Sequence, residues 1–316
     1  MRQSIALRQQ LRTAIDDEIA QRTHVHQAKI ARLKTARVSF AASKAMPPAA
    51  PLVMLAHGDS WFDYPLSGNS LSLRSTDVIA QLESMGDTQP VIANVSHHGD
   101  ATTDEMSLPK QERMVQALQD PANWMDSGKP DAILFSGGGN DIAGDQFCIF
   151  LDYAANNIGG LNTARFTRAL GMIEGSYMDL FAFRGRYAPG VPVLAHCYDF
   201  PIPNGVHPSC AGPWLQPSLD YCGFNLASGT LIVHQALAEF RQMLLGLASN
   251  SANNFFLIDT QGTFSPDQWA NELHPYPPGF KAVAQEFVNA LKNLFPGIIR
   301  QPDILTRSVA WQNAQS

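Results

Sequence analysis

The stretch "DAILFSGGG", residues 131–139, is an apolar run without alternation that ends in three glycines. A strand with one wet face would alternate polar and apolar residues. A run apolar throughout is what a parallel strand covered on both faces requires. Four more stretches share that character: "PLVMLAHG" at 51–58, "PVIANVS" at 90–96, "VPVLAHCYD" at 191–199 and "NNFFLIDT" at 253–260. Between them lie segments of helical character over 76–85, within 105–118, and over 165–187, 226–247 and 280–294. Strands alternating with helices predict a three-layer α/β/α domain with about five parallel strands, occupying residues 51–316.

Composition agrees with that core. The chain has 316 residues, 45% of them hydrophobic and 16% charged, enough for one large domain with an appendage. A net charge of −6 argues against nucleic acid as the main partner, but the sign is unevenly spread. Residues 1–50 hold nine Lys/Arg against Asp16, Asp17 and Glu18, a balance of +6 that leaves −12 for the rest.

Within that basic segment Leu7, Leu11, Ile15 and Ile19 step by four, and Ile30 and Leu33 follow after a polar stretch. The spacing predicts a helix with a basic opposite face. "AASKAMPPAAP" (41–51) then ends it, since paired prolines remove donors and fix the backbone. The chain thus divides into an N-terminal arm with linker, 1–50, and a body, 51–316. The arm reads as a docking or coiled-coil element, with self-association or surface docking through residues 1–45 as its expected roles.

No run reaches the roughly 18 apolar residues of a membrane span, and "MRQSIALRQQLRTAIDDE" has no secretory pattern. A cytoplasmic location is the expectation, with export by a leaderless route left open. Cys148, Cys197, Cys210 and Cys222 are too few for a disulfide framework. Cys210 and Cys222 flank a proline-rich loop, which suits either one local bridge or free thiols.

In parallel sheets ligands bind where the carboxyl ends of the strands converge. The five ends carry His57-Gly58-Asp59-Ser60, Ser96-His97-His98-Gly99-Asp100, Gly137-Gly138-Gly139-Asn140-Asp141, Cys197-Tyr198-Asp199, and, past the last strand, "DQWANELHPYPPGF" with His274. Taken alone, Ser60 also suits a helix cap. Acyl transfer, however, needs a hydroxyl beside a base and aligned donors for the oxyanion. Ser60, His274, the Gly99 N–H and the Asn140 amide meet those requirements.

The blocks "GDSW" (58–61), "NVSHHGD" (94–100), "GGGND" (137–141) and "NELHP" (271–275) stand in the order of the SGNH (GDSL-type) hydrolases, which the body resembles. The resemblance implies a flavodoxin-like α/β/α architecture, Ser60 as nucleophile and His274 as general base. It also implies an oxyanion hole made by the N–H groups of Ser60 and Gly99 and the Asn140 amide, with Asp59 and Asp141 bracing the loops. At position 271 the chain departs from the family pattern, with Asn271 where an Asp usually supports the histidine. Three readings follow: Asn271 supports His274 by its amide oxygen, a carboxylate such as Glu272, Asp267 or Asp199 does so, or the enzyme is weakened.

No metal is expected at His97, His98, His196, Cys197, His207, Cys210 or Cys222, which lack the paired spacing of a zinc site. The glycines at 137–139 lack the Lys-Ser/Thr of a P-loop, and no cofactor is implied. Trp61, Phe62 and Tyr64 follow the nucleophile and read as core packing or as part of an acyl-binding wall. The loop 199–224, with five prolines, Asp199 and Trp214, reads as a cap over the rim, and 142–164 with Cys148, Phe150 and Tyr153 as the other wall. The expected substrate-binding residues are therefore Trp61, Phe62, Asp199 and Trp214. The expected function is hydrolysis of a small-molecule or lipid-like carboxylic ester through an acyl-Ser60 intermediate. Carbohydrate deacetylation, thioester cleavage and a binding or scaffold module that has lost turnover are the alternatives.

Overall fold

A computed structural model describes residues 2–43, 50–64, 77–85, 89–102, 106–156, 160–206 and 212–296. Five parallel strands form one sheet: β1 (Val53–Gly58), β2 (Val91–Asn94), β3 (Ala132–Ser136), β4 (Val193–His196) and β5 (Phe255–Ile258). Their spatial order is β2-β1-β3-β4-β5. The four inner-sequence strands β1 to β4 are buried almost throughout, as their unbroken apolar runs require.

The helices are α1 (Arg2–Ser43), α2 (Val78–Ser84), α3 (Leu108–Gln119), the single turn α4 (Gly139–Ile142), α5 (Thr163–Tyr187), α6 (Gln216–Tyr221), α7 (Leu226–Ser249) and α8 (Pro277–Leu294). Helices α2 and α8 pack together on one face, and α5 packs between α3 and α7 on the other. The predicted helices differ from these by a few residues at their ends, where local caps decide the boundary. Asp77 caps α2 by accepting the Ala80 N–H, Asn162 caps α5 through Arg165 N–H, and Asn225 caps α7 through Ser228 N–H. Asp77 sits in a dry place, and burial pushes its carboxyl up to about 7.

The strand order reverses between β1 and β3, so the crevice at their carboxyl ends is the topological switch point. These two ends approach closely. A Cβ on Gly58 would lie 2.4 Å from the Ser136 carbonyl oxygen, which is why only glycine fits before Asp59-Ser60.

The arm's apolar face turns toward the body. Ile19 and Ile30 are buried, Ile15 and Leu33 pack against the core, and the polar stretch between them supplies buried His26 and half-buried Arg22 on the same face. The side chains of Leu7 and Leu11 lie outside the described residues, as does most of the proline linker. Helix α1 lies beside β2 and the segment Pro121–Asn123. His26 Nε2 meets the Asn123 carbonyl at 2.8 Å, Gln27 donates to Asp120, and Arg37 pairs with Asp126 at 2.7 Å. Cys148, Cys197 and Cys222 are free thiols; Cys210 lies outside the described residues. Among the described residues no helix is long and apolar enough to cross a membrane.

Candidate active site

Ser60 lies in the turn that follows β1. Phe62 N–H and Asp63 N–H both donate to the Asp59 carbonyl, while Asp59 N–H reaches across to the Ser136 carbonyl at 2.9 Å. The turn is stiffened from inside by the Asp59 carboxylate, which accepts from Trp61 N–H, the Ser136 hydroxyl and the Tyr198 hydroxyl at 2.6–3.0 Å. Burial pushes this carboxyl up to about 6, against the pull of those three donors.

The Ser60 hydroxyl lies 2.7 Å from His274 Nε2. His274 arrives from the loop before α8, and its Nδ1 is 3.2 Å from Asn271 Oδ1. That same oxygen accepts the backbone N–H groups of Leu273 and His274 at 3.0 and 2.9 Å, which fixes the amide with its oxygen toward the histidine. An oxygen can only accept, so Nδ1 carries the ring proton and Nε2 is bare toward Ser60. Burial lowers the His274 pKa to about 3, so the ring is neutral at ordinary pH.

Two of the three carboxylates expected from sequence as substitutes are engaged elsewhere. Glu272 accepts N–H groups from Gly205, Trp214, Leu215 and Gln216. Asp199 accepts from Phe200, Gly262 and Phe264 N–H at 2.6–2.7 Å. Asp267 is exposed. Asn271 is the residue that stands at Nδ1.

The three expected oxyanion donors differ in what already engages them. Neither Ser60 N–H nor Gly99 N–H has a partner among the described residues. Gly99 has φ +81°, a left-handed conformation that a side chain would strain, and its position is exposed. Asn140, in α4, gives one amide hydrogen to the Asp100 carbonyl at 2.8 Å and has a second to offer. Asp141 binds Thr102 N–H and hydroxyl, tying the turn after β3 to the loop after β2.

A cavity of about 550 Å³ opens at Ser60. Its polar end holds Ser60, Asn140 and His274, and its walls are mainly apolar, with Trp61, Phe147, Leu215, Leu237 and Trp269 among them. Ligand cavities show this mixture of an apolar lining with a few convergent polar groups. Gly99 is not among the lining residues.

The four expected substrate-binding residues separate. Trp61 lines the cavity, its ring 6.5 Å from that of His274. Phe62 does not: it is fully buried against His196 and Phe287. Asp199 borders the cavity, but its carboxylate is satisfied by backbone N–H groups. Trp214 faces the His274 ring at 5.9 Å without lining the cavity. On the other wall Ile142, Ala143 and Phe147 take the place expected for Cys148, Phe150 and Tyr153.

Sequence reading gave Tyr64 core packing or part of an acyl-binding wall, and no contact with the histidine or Asn271. Its ring lies 4.8 Å from that of His274, and its hydroxyl meets the Asn271 amide nitrogen at 3.3 Å. The α7 residues Val233, Ala236 and Leu237 were also missed, since on a helix an apolar stripe facing a cavity looks like one facing the core. His97 and His98 stack on each other and face Asp100 and Asp63, respectively.

No protein-family model matches the sequence, and a comparison with curated proteins gives no match. Among solved structures, the lipase Lip_vut3 from a goat rumen metagenome superposes with a TM-score of 0.51 at 16% identity, covering 76% of this chain and 97% of that one. The chain shares the fold of that lipase. An extracellular lipase from Streptomyces rimosus (TM-score 0.47, 19% identity, 75% and 98% covered) is also similar. So is a member of the lipolytic protein G-D-S-L family from Veillonella parvula (0.40, 14%, 76% and 97%). At such identities the SGNH likeness speaks for architecture, and the chemistry rests on this chain's own residues.

Proposed function

We propose that the chain is a serine hydrolase of carboxylic esters. The observation that carries this reading is the Ser60 hydroxyl, 2.7 Å from a bare imidazole nitrogen at the polar end of an apolar cavity. Ser60 Oγ attacks the ester carbonyl carbon while its proton passes to His274 Nε2. The oxyanion is met by Ser60 N–H, Gly99 N–H and the free hydrogen of the Asn140 amide. The imidazolium then protonates the departing alkoxide, leaving acyl-Ser60. Water gives its proton to His274, attacks the acyl carbon and releases the acid with Ser60 restored.

Asn271 holds the ring in the right tautomer but brings no charge, so the imidazolium in a dry site is costly. The apolar walls favour an acyl group over a bare sugar. Trp214 and the segment pinned by Glu272 serve as the cap that shapes substrate choice. A panel of p-nitrophenyl esters from acetate to palmitate, together with a fluorophosphonate probe, tests this. Turnover and labelling that both disappear in Ser60→Ala support it; labelling that persists in that variant sinks it.

A further inference from the structure

One side chain of the N-terminal helix reaches the two loops that the proposed reaction needs in register. Arg22 Nη1 donates to Asp63 Oδ1 at 2.6 Å, and Nη2 donates to the Ser96 carbonyl at 2.7 Å. Asp63 closes the turn that holds Ser60, three residues earlier. Ser96 lies two residues past the end of β2 and three before Gly99. His97 N–H makes the next bond, to the Gly58 carbonyl, so the loop leaves β1 only beyond His97. A planar guanidinium with parallel donors fixes two acceptors relative to each other, which a flexible ammonium does not.

The surroundings favour a persistent bridge. The side chains of Arg22 and Asp63 are 25% and 13% exposed. Burial pushes the Asp63 carboxyl up, yet the neighbouring His98 and Arg22 outweigh it and hold the group below the usual carboxylate range. From the inner side Asn94 Nδ2 donates to the Phe62 carbonyl at 2.7 Å, so the turn is gripped from both sides. Apart from Trp61, which belongs to this turn, and Leu215, the cavity walls come from other parts of the chain: α4 and the segment after it, the β4 end, α7 and the loop before α8.

We propose that Arg22 is a positioning residue for the ester hydrolysis assigned above, setting the Gly99 N–H relative to Ser60 from a helix outside the sheet. The proposal rests on that hydrolase reading. It acts through the oxyanion contacts and not through the acyl pocket, so it affects kcat and not KM. Misplacing one oxyanion donor by a fraction of an ångström costs about 10- to 100-fold.

The test is steady-state kinetics on p-nitrophenyl esters, normalised to sites titrated with fluorophosphonate, for wild type, Arg22→Ala, Arg22→Lys, Asp63→Asn and the control Arg37→Ala. Arg37 holds α1 to Asp126 far from either loop. The expected result is a kcat per titrated site about 10- to 100-fold lower in Arg22→Ala, with KM within about twofold. Arg22→Lys is intermediate, Asp63→Asn reproduces the loss from the other partner, and Arg37→Ala matches wild type. The double variant Arg22→Ala/Asp63→Asn loses no more than either single variant, because both break one bridge. If Arg22→Ala does not fold, Asp63→Asn carries the same expectation. Unchanged kcat per titrated site in a wild type that labels would overturn the positioning role and leave the hydrolase standing. So would additive losses in the double variant, or an equal loss in Arg37→Ala. A wild type that neither labels nor turns over would overturn both.

Discussion

Two serine–histidine pairs lie within the same few layers of the molecule, and one of them is proposed to react. Ser60 is 2.7 Å from His274 Nε2, and Ser136 is 2.8 Å from His196 Nε2. Both rings are buried, and burial lowers both pKa values to about 3. The protons, however, sit on opposite nitrogens. His196 Nδ1 accepts the Tyr198 N–H at 3.3 Å, so its Nε2 carries the hydrogen and donates to Ser136. Ser136 in turn donates to Asp59. His274 has its Nδ1 against the Asn271 oxygen, so its Nε2 is free to take a proton. The difference between the structural pair and the pair proposed to react is thus the acceptor or donor on the far side of the ring, together with a cavity at the hydroxyl.

The strongest way to break this comparison is to remove each hydroxyl. Ser60→Ala is expected to lower turnover by at least about 10⁴-fold and to abolish fluorophosphonate labelling. Ser136→Ala is expected to keep labelling per folded molecule, and loss of label there would mean the two pairs do not differ as described. Next comes the tautomer. Asn271→Leu leaves the Nδ1 proton without its acceptor, and kcat is expected to fall by about 10³-fold with an intact fold by circular dichroism.

A third measurement probes what the rings share. A histidine whose folded pKa is depressed stabilises the fold above its unfolded value near 6.5 and loses that contribution as pH falls toward the folded value near 3. Replacing His196 by Asn removes one such ring. The stability difference between wild type and His196→Asn should therefore shift by about 1.4 kcal/mol per pH unit between pH 6.5 and 4, read from urea denaturation. A gap that stays constant with pH would show that His196 is not held neutral.

The smallest expected effect is a gain. Asn271→Asp keeps the backbone N–H contacts of the amide oxygen, and the Tyr64 hydroxyl, which accepts from the amide nitrogen, can turn to donate to a carboxylate. It adds charge beside the imidazolium, so kcat should rise by about tenfold and the acid limb of kcat/KM should move to higher pH. In wild type that limb should lie well below pH 6, because His274 is held low. A lower rate in this variant would mean that proton transfer is already supported from elsewhere.

Much of this was legible before any coordinates. Unbroken apolar runs announced buried parallel strands, and the polar clusters at their ends marked one rim, because both depend on residue type along a short stretch. Phe62 shows where that reading stops: the turn geometry that sends Trp61 to the cavity and Phe62 to the core is set by the Asp59 bonds, not by either aromatic. Glu272 shows the same limit. As the carboxylate nearest in sequence to the histidine it invited a catalytic role, whereas it is spent on four N–H groups of a segment more than fifty residues away. Arg22 and His26 looked like a polar gap in the arm's apolar pattern; on the helix they share the face of Ile19 and Ile30.

The placement of α1 has a consequence beyond the reaction. Strand β2 is the outermost on its side of the sheet, and an outermost strand presents unpaired N–H and C=O groups that can recruit a strand from another molecule. The long helix lying beside it shields that margin. A chain whose arm came undocked would be exposed to self-association through β2, so the contacts that hold the arm down also guard the protein's solubility.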